Sequence, residues 1–280
     1  MRNPCESIPV FALVVSLLGC GGGGGGGSGS GSPAPAAGTG QGFTLQASVN
    51  RQNYPIEVYV PSSYAAGAAS YPVIYALDGD ANFSVTATGQ PQSRFELFKS
   101  ILARRGTNAI LVGIGNSARR QEDYNFPGAG PYHDFLVREL IPAIDSRFRT
   151  DARTRVLTGL STSGNLALSA LFLEAPGNLA FTHFVSIEGA FHQQLATLVQ
   201  MEQQMYDALP GKQLPVTVVL ARSTGDASLG STNAAFVSQM HSLLGGRNYV
   251  GLTLLETTFA AGHAATDGPA FEDAVARFFP

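Results

Sequence analysis

Arg155-Val-Leu-Thr-Gly-Leu-Ser161-Thr-Ser-Gly-Asn-Leu-Ala-Leu168 is the stretch that decides the fold. A β-branched, apolar run meets a turn of small residues, and a helix-favouring segment follows with no spacer. Strand, sharp turn and helix in that order place Ser161 at the apex with its hydroxyl exposed. The N–H groups that open the helix have no carbonyl one turn earlier to bond, and they carry the positive end of the helix dipole. Such donors can hold the oxyanion that forms when a carbonyl is attacked. One short segment thus offers a nucleophile and, in the amide of Thr162, half of an oxyanion hole. The usual spacing for such a turn is Gly-x-Ser-x-Gly. Gly159 and Ser161 fit it, Ser163 stands in the last position, and Gly164 comes one place late.

Outward from this segment the chain alternates strands and helices. Phe43 to Asn50 and Asn53 to Val60 alternate apolar and polar residues and are expected to be antiparallel edge strands, joined near Arg51-Gln52. Tyr71 to Leu77, Asn108 to Ile114, Arg155 to Gly159, Phe181 to Ile187, Pro215 to Ala221 and Tyr249 to Leu255 are expected strands, several of them continuous apolar runs. Helices are expected over Arg94 to Arg104, Tyr132 to Phe148, Thr162 to Glu174, Gln193 to Leu209, Thr232 to Leu244 and Ala270 to Phe279. Pro142 predicts a kink in the second of these. The order implies an α/β fold, with a mostly parallel sheet covered by helices on both faces. The stretch from Gly115 to Gly130 has no periodicity, and a loop of that length is often functional.

The ends and the composition set further bounds. Arg2 and the apolar run Ile8 to Leu18, too short to span a bilayer comfortably, have the form of a leader. Leu17-Leu18-Gly19-Cys20 has the form of a lipidation box, so residues 1–19 are expected to be cleaved and Cys20 to carry the lipid. Residues 20–42, rich in Gly, Ser and Pro, are expected to form a flexible tether. Gly rather than Asp follows Cys20, which points to the outer membrane or cell surface of a bacterial envelope. Residues 43–280 then form one domain. The chain's two cysteines, Cys5 and Cys20, both precede that domain, which excludes a thiol nucleophile and a cysteine metal site there. Net charge is −3, and Lys occurs only at 99 and 212, so no basic stripe awaits nucleic acid. A small, weakly polar substrate is expected, with no cofactor and no metal. Oligomeric state is left open.

An activated serine needs a base, and the base an orienting acid. His263 lies in Phe259-Ala-Ala-Gly-His-Ala, between the last strand and the last helix, where ligand loops of parallel sheets sit. His192 follows a strand end and is the reserve base. His133, His183 and His241 fall within elements and are expected to be packed or solvated. Asp226, just beyond the strand Pro215 to Ala221, is the leading acid. Glu188 is its rival, and Glu256 and Asp267 flank the histidine loop. The second oxyanion donor is expected at the amide of Asp80 in Leu77-Asp-Gly-Asp80, where Gly79 would turn N–H groups inward. The Asp-x-Asp spacing there is too sparse for a cation site.

The chain is similar to the putative esterase family of the α/β-hydrolase superfamily, which includes esterase D, siderophore esterases and mycolyltransferases. The resemblance rests on Tyr71-Pro-Val-Ile-Tyr-Ala-Leu-Asp-Gly-Asp-Ala-Asn-Phe83, on Val112-Gly-Ile-Gly115 with Arg119 or Arg120 and then Asp123-Tyr124, on the helix from Phe135 to Arg149, on the Ser161 turn and on Gly262-His263. It is strongest in the siderophore-esterase-like branch. It implies an α/β-hydrolase fold and a serine carboxylic ester hydrolase, with Ser161 and His263 carried over and Gly79, Arg120 and Tyr124 near the substrate. An acyltransferase on the same scaffold, or a surface binding module without chemistry, would share these features. Ser163 replaces the family's glycine, Glu188-Gly189 stands where relatives have Ser-Pro-Ser, and Gly225-Asp226 replaces Gly-Glu or Glu-Glu. The last two leave the acid open between Asp226 and Glu188.

Overall fold

A computed structural model describes residues 40–86, 88–224 and 233–280. The expected leader, Cys20, most of the tether and Asp226 lie outside the described residues.

An eight-stranded sheet carries the fold. β1 (Gln41–Gln46) and β2 (Asn53–Tyr59) form an antiparallel hairpin at one edge. β2 pairs antiparallel with β6 (Ile110–Ile114). From β6 onward every pairing is parallel, through β3 (Tyr71–Leu77), β7 (Thr150–Leu160), β8 (His183–Ile187), β9 (Thr217–Ser223) and β10 (Thr253–Phe259), in the order β1-β2-β6-β3-β7-β8-β9-β10. Two short strands, β4 (Ser84–Val85) and β5 (Pro91–Gln92), form a separate ribbon.

Both faces of the central strands are buried, which is why they are mostly apolar, with polar exceptions such as Thr158 and Ser186. On β3, Val73, Tyr75 and Leu77 face one core while Ile74 and Ala76 face the other. The first core packs against α3 (Ala129–Phe135), α4 (Ile141–Asp145), α5 (Thr162–Glu174), α6 (Leu195–Ala208) and α7 (Asn233–Gly245). The second packs against α1 (Arg94–Arg105) and α8 (Asp267–Phe278), whose Phe98 and Phe271 stack with centroids 3.6 Å apart. Each buried Leu, Ile or Phe contributes about 1.5–3 kcal/mol, so the core outweighs any single polar contact.

Several boundaries depart from the sequence expectations. α3 and α4 form one helix with a wide turn at Leu136–Leu140, where the Ile141 N–H reaches back to Leu136 O. Pro142 has no N–H and its ring crowds the preceding turn, so the helix widens just before it. β7 begins at Thr150 rather than Arg155. Its register with β3 slips after Tyr71↔Thr150, and the charged Asp151 and Arg153 in that slip hide the strand from an apolar pattern. β10 runs to Phe259 instead of ending at Leu255. It is an edge strand, half exposed, so Glu256 to Thr258 can be polar. Within the expected loop from Gly115 to Gly130, α2 (Arg120–Asp123) forms a single turn. Among the described residues no helix is long and apolar enough to cross a membrane.

Candidate active site

Ser161 follows β7 and is the N-cap of α5. Its backbone has φ 61° and ψ −118°, a conformation that costs a non-glycine residue about 1–3 kcal/mol. The surroundings hold it there. Its N–H donates to Ile187 O at 2.9 Å, and its carbonyl accepts from the Ala190 and Asn165 amides at 3.0 and 2.9 Å. Gly159 is needed because a Cβ there would fall 2.1 Å from the Ser163 carbonyl oxygen. Ser163, in the place of the usual glycine, is fully buried. Its hydroxyl accepts from the Leu160 N–H at 2.9 Å and donates to Leu160 O at 2.8 Å, so it ties the strand end into the turn. Among the described residues the Thr162 amide meets no acceptor and α5 carries no side-chain cap.

β3 delivers the facing loop. Asp78 also has a positive φ, 57°, and is fully buried. Arg120 grips its carboxylate with Nε at 2.7 Å and Nη2 at 2.6 Å. Gly79 packs against the end of β6. Its amide donates to Ile114 O at 2.8 Å, and a Cβ would lie 2.9 Å from the Gly113 backbone. The glycine therefore lets the loop lie against β6. The Asp80 amide has no acceptor among the described residues, and the Asp80 carboxylate takes two N–H groups of Asn116 at 3.0 Å. Asp78 and Asp80 are thus committed to separate partners.

Arg120 and Tyr124, expected near the substrate, pack on each other beside Asp78. The guanidinium of Arg120 is held by Asp78 and lies over the Tyr124 ring at 5.3 Å. Tyr124 is only 2 % exposed, and burial pushes its pKa far up. They brace the loop around residues 115–128, whose cleft of 480 Å³ is lined by Arg119, Gln121, Asn125 and Phe126. Asn165, one turn beyond Ser161, donates its side-chain amide to Tyr124 O and Asn125 Oδ1, both at 3.2 Å.

His263 sits in the loop after β10, at the start of a single helical turn. Thr266 closes this loop, its N–H and hydroxyl both reaching Gly262 O at 3.0 Å. His263 Nδ1 lies 3.1 Å from Glu188 Oε2. A carboxylate only accepts, so Nδ1 donates and Nε2 is the proton-accepting nitrogen. Glu188 is fully buried just past β8, with φ 48°. Its N–H donates to Ala221 O at 2.7 Å, and its Oε1 accepts from the Ser223 amide. Asn233, opening α7, donates to Glu188 O at 3.1 Å and places the same side-chain nitrogen 3.5 Å from His263 Nδ1. Ser161 is bonded to residues 187 and 190 on either side of Glu188, so serine, carboxylate and imidazole share one end of the sheet.

Among the described residues, the flanking carboxylates and the remaining candidate histidines have other neighbours. Glu256 pairs with Arg222 at 3.2 Å and accepts from Ser238. Asp267 is bound by Arg94. His192 is exposed against Phe236. His133 bonds Glu174 at 2.7 Å, and His183 Nδ1 lies 2.8 Å from Thr182 Oγ1. Sequence reasoning missed Asp78, Asn233 and Arg94. The family-like stretch at 71–83 contained Asp78, but no local pattern marked the other two.

Comparison with known proteins gives a family and a fold. The family model described as "Putative esterase" matches residues 47–227, well over half of the chain. No curated protein sequence matches it. Among solved structures, an IroE-like serine hydrolase from Shewanella oneidensis is similar at 21 % identity, with 86 % of this chain and 80 % of that one covered and a TM-score of 0.72. The siderophore hydrolase EstB from Aspergillus nidulans is similar at 19 % identity, covering 88 % and 98 %, TM-score 0.68. The enterobactin hydrolase IroE in complex with DFP is similar at 15 % identity, covering 84 % and 93 %, TM-score 0.59. At these identities the likeness speaks to the fold, an α/β-hydrolase-like sheet.

Proposed function

This chain belongs to the putative esterase family, and from that premise we propose that it hydrolyses small carboxylic esters through an acyl-enzyme on Ser161. Ser161 Oγ attacks the ester carbonyl carbon while His263 Nε2 takes its proton. Negative charge moves to the carbonyl oxygen, where the N–H groups of Thr162 and Asp80 receive it. The tetrahedral adduct collapses, the alcohol leaves with the proton from His263, and the acyl group stays on Ser161. Water then attacks, again with His263 as base, and the carboxylic acid departs. Glu188 orients the imidazole and stabilises its protonated form.

The observation that carries this is the strained Ser161, bonded on both sides of Glu188 while the Glu188 carboxylate holds His263. Water rather than a second alcohol is taken as the acceptor because the family is one of esterases. Siderophore esters join short acyl esters as candidate substrates, since neighbours in fold are siderophore and enterobactin hydrolases. Ser161→Ala is expected to abolish turnover of a short p-nitrophenyl ester and labelling by a fluorophosphonate probe. Turnover that survives the substitution would refute the assignment.

Lipid attachment at Cys20 is supported by the apolar leader ending in Leu17-Leu18-Gly19-Cys20 and the glycine-rich stretch that follows. Cys20→Ser should move the activity from the membrane fraction to the soluble one. Membrane retention of that variant would argue against the anchor.

A further inference from the structure

One buried charged side chain reaches three segments of the proposed site: the strand before the Asp80 loop, the strand before Ser161 and the helix after His263. Arg94 opens α1 and is fully buried. Its Nη1 donates to Leu77 O at 2.6 Å and to Thr158 O at 3.2 Å. Its Nη2 donates to Thr158 Oγ1 at 3.2 Å and to Asp267 Oδ1 at 3.0 Å, and its Nε bridges both Asp267 oxygens at 3.1 and 2.9 Å. Every nitrogen of the guanidinium is used. The Phe98 ring closes one side, 4.4 Å from the guanidinium carbon.

The positions of these acceptors matter. Leu77 is the last residue of β3, immediately before the loop that carries the Asp80 amide. Thr158 lies on β7, three residues before Ser161. Asp267 opens α8, four residues after His263. Leu77 and Thr158 sit on adjacent strands, while Asp267 belongs to a helix distant in sequence. We propose that Arg94 is a positioning residue: its buried guanidinium, paired with Asp267, fixes the oxyanion loop, the nucleophile strand and the histidine loop relative to one another. This rests on the hydrolase assignment made above.

Stability alone does not account for the arrangement. A buried ion pair gains little over well-packed apolar residues of similar volume, and replacing both partners is often neutral or stabilising. A lone pair would also need only Asp267, whereas this guanidinium spends half of its bonds on main-chain and hydroxyl oxygens of two strands beneath the site. Its rigid planar fork suits it to that task, and a lysine ammonium could not serve all three segments at once.

The test separates positioning from folding. The double variant R94M/D267L replaces the pair with apolar side chains of similar size. It is expected to keep the wild-type circular dichroism and thermal midpoint. Its kcat for a p-nitrophenyl ester should fall about 10- to 100-fold, as for a misplacement of about 1 Å, while KM stays within about threefold. Fluorophosphonate labelling of Ser161 should slow in parallel. A folded double variant with wild-type kcat would overturn the proposal. If that variant does not fold, Thr158→Val decides the matter, because it removes only one hydroxyl acceptor of Arg94. A folded T158V with reduced kcat and unchanged KM supports positioning, and one with wild-type kcat overturns it. Ser161→Ala run alongside keeps the two ideas apart: full turnover there would sink the hydrolase assignment, whereas an inactive S161A beside a fully active R94M/D267L sinks only the role of Arg94.

Discussion

Asp78, Ser161 and Glu188 follow or end three adjacent strands, β3, β7 and β8, and each has a positive φ that a side chain rarely tolerates. Each is held by bonds that outlast the strain: Asp78 by Arg120, Ser161 by the main chain of residues 187 and 190, Glu188 by Ala221 and Ser223. Strain collected at one end of a sheet marks the place where the fold has been bent to aim functional groups. The acid can be tested at this scale. Glu188→Gln should lower kcat by about 10²- to 10⁴-fold, because an amide cannot stabilise the imidazolium and can favour the wrong tautomer. Asp226→Asn should cost far less. The reverse ranking, measured by steady-state kinetics on both variants, would move the acid to Asp226. Ser161, Thr162 and His263 stand out as candidates from local pattern, since a strand-turn-helix and a small-residue loop are local objects. That Glu188 meets His263 could not be read this way, because the contact joins the ends of β8 and β10, 75 residues apart.

At the scale of elements, the junction of β7 and α5 depends on contact without room to spare. Gly159→Ala would drive a methyl group into the Ser163 carbonyl, and neither main-chain segment can move without shifting α5. A destabilisation of about 3 kcal/mol is expected, as for severe overpacking, seen as a lower denaturant midpoint. A midpoint equal to wild type would mean the junction is looser than its geometry. The serine at 163 departs from the family pattern but adds two bonds to Leu160, so the change of residue is compensated inside the same turn. Element order and type were readable because apolar runs and helical spacing are strong signals. The ends were not. β7 starts in a charged, slipped register, β10 is polar because it is an edge, and the helix before the turn widens to accommodate Pro142.

For the molecule as a whole, one titrating group far along the sheet from the site links pH to stability. His183 begins β8, packs against Phe278, and burial lowers its pKa. The unfolded chain, with an ordinary histidine near pKa 6.5, therefore binds more protons than the folded one below that pH. Stability is fully present above about pH 6.5 and is lost as pH falls toward the lowered folded value. His183→Gln should lose less stability than wild type between about pH 7 and 5, measured by thermal midpoints across that range. Equal losses would show that burial of this imidazole does not govern the acid limb.

By itself the chain determined which segments become strands and helices, where the turn at Ser161 falls, which loop carries His263, and which family the domain resembles. Those are properties of short windows, written in apolar period, small residues at a turn and the order of motifs. Only the tertiary structure decided that Glu188 faces His263, that Arg120 holds Asp78 while lying over Tyr124, and that Arg94 joins Leu77, Thr158 and Asp267. Each of these depends on residues far apart in sequence meeting through strand register and helix packing, and no local window contains the distance between them.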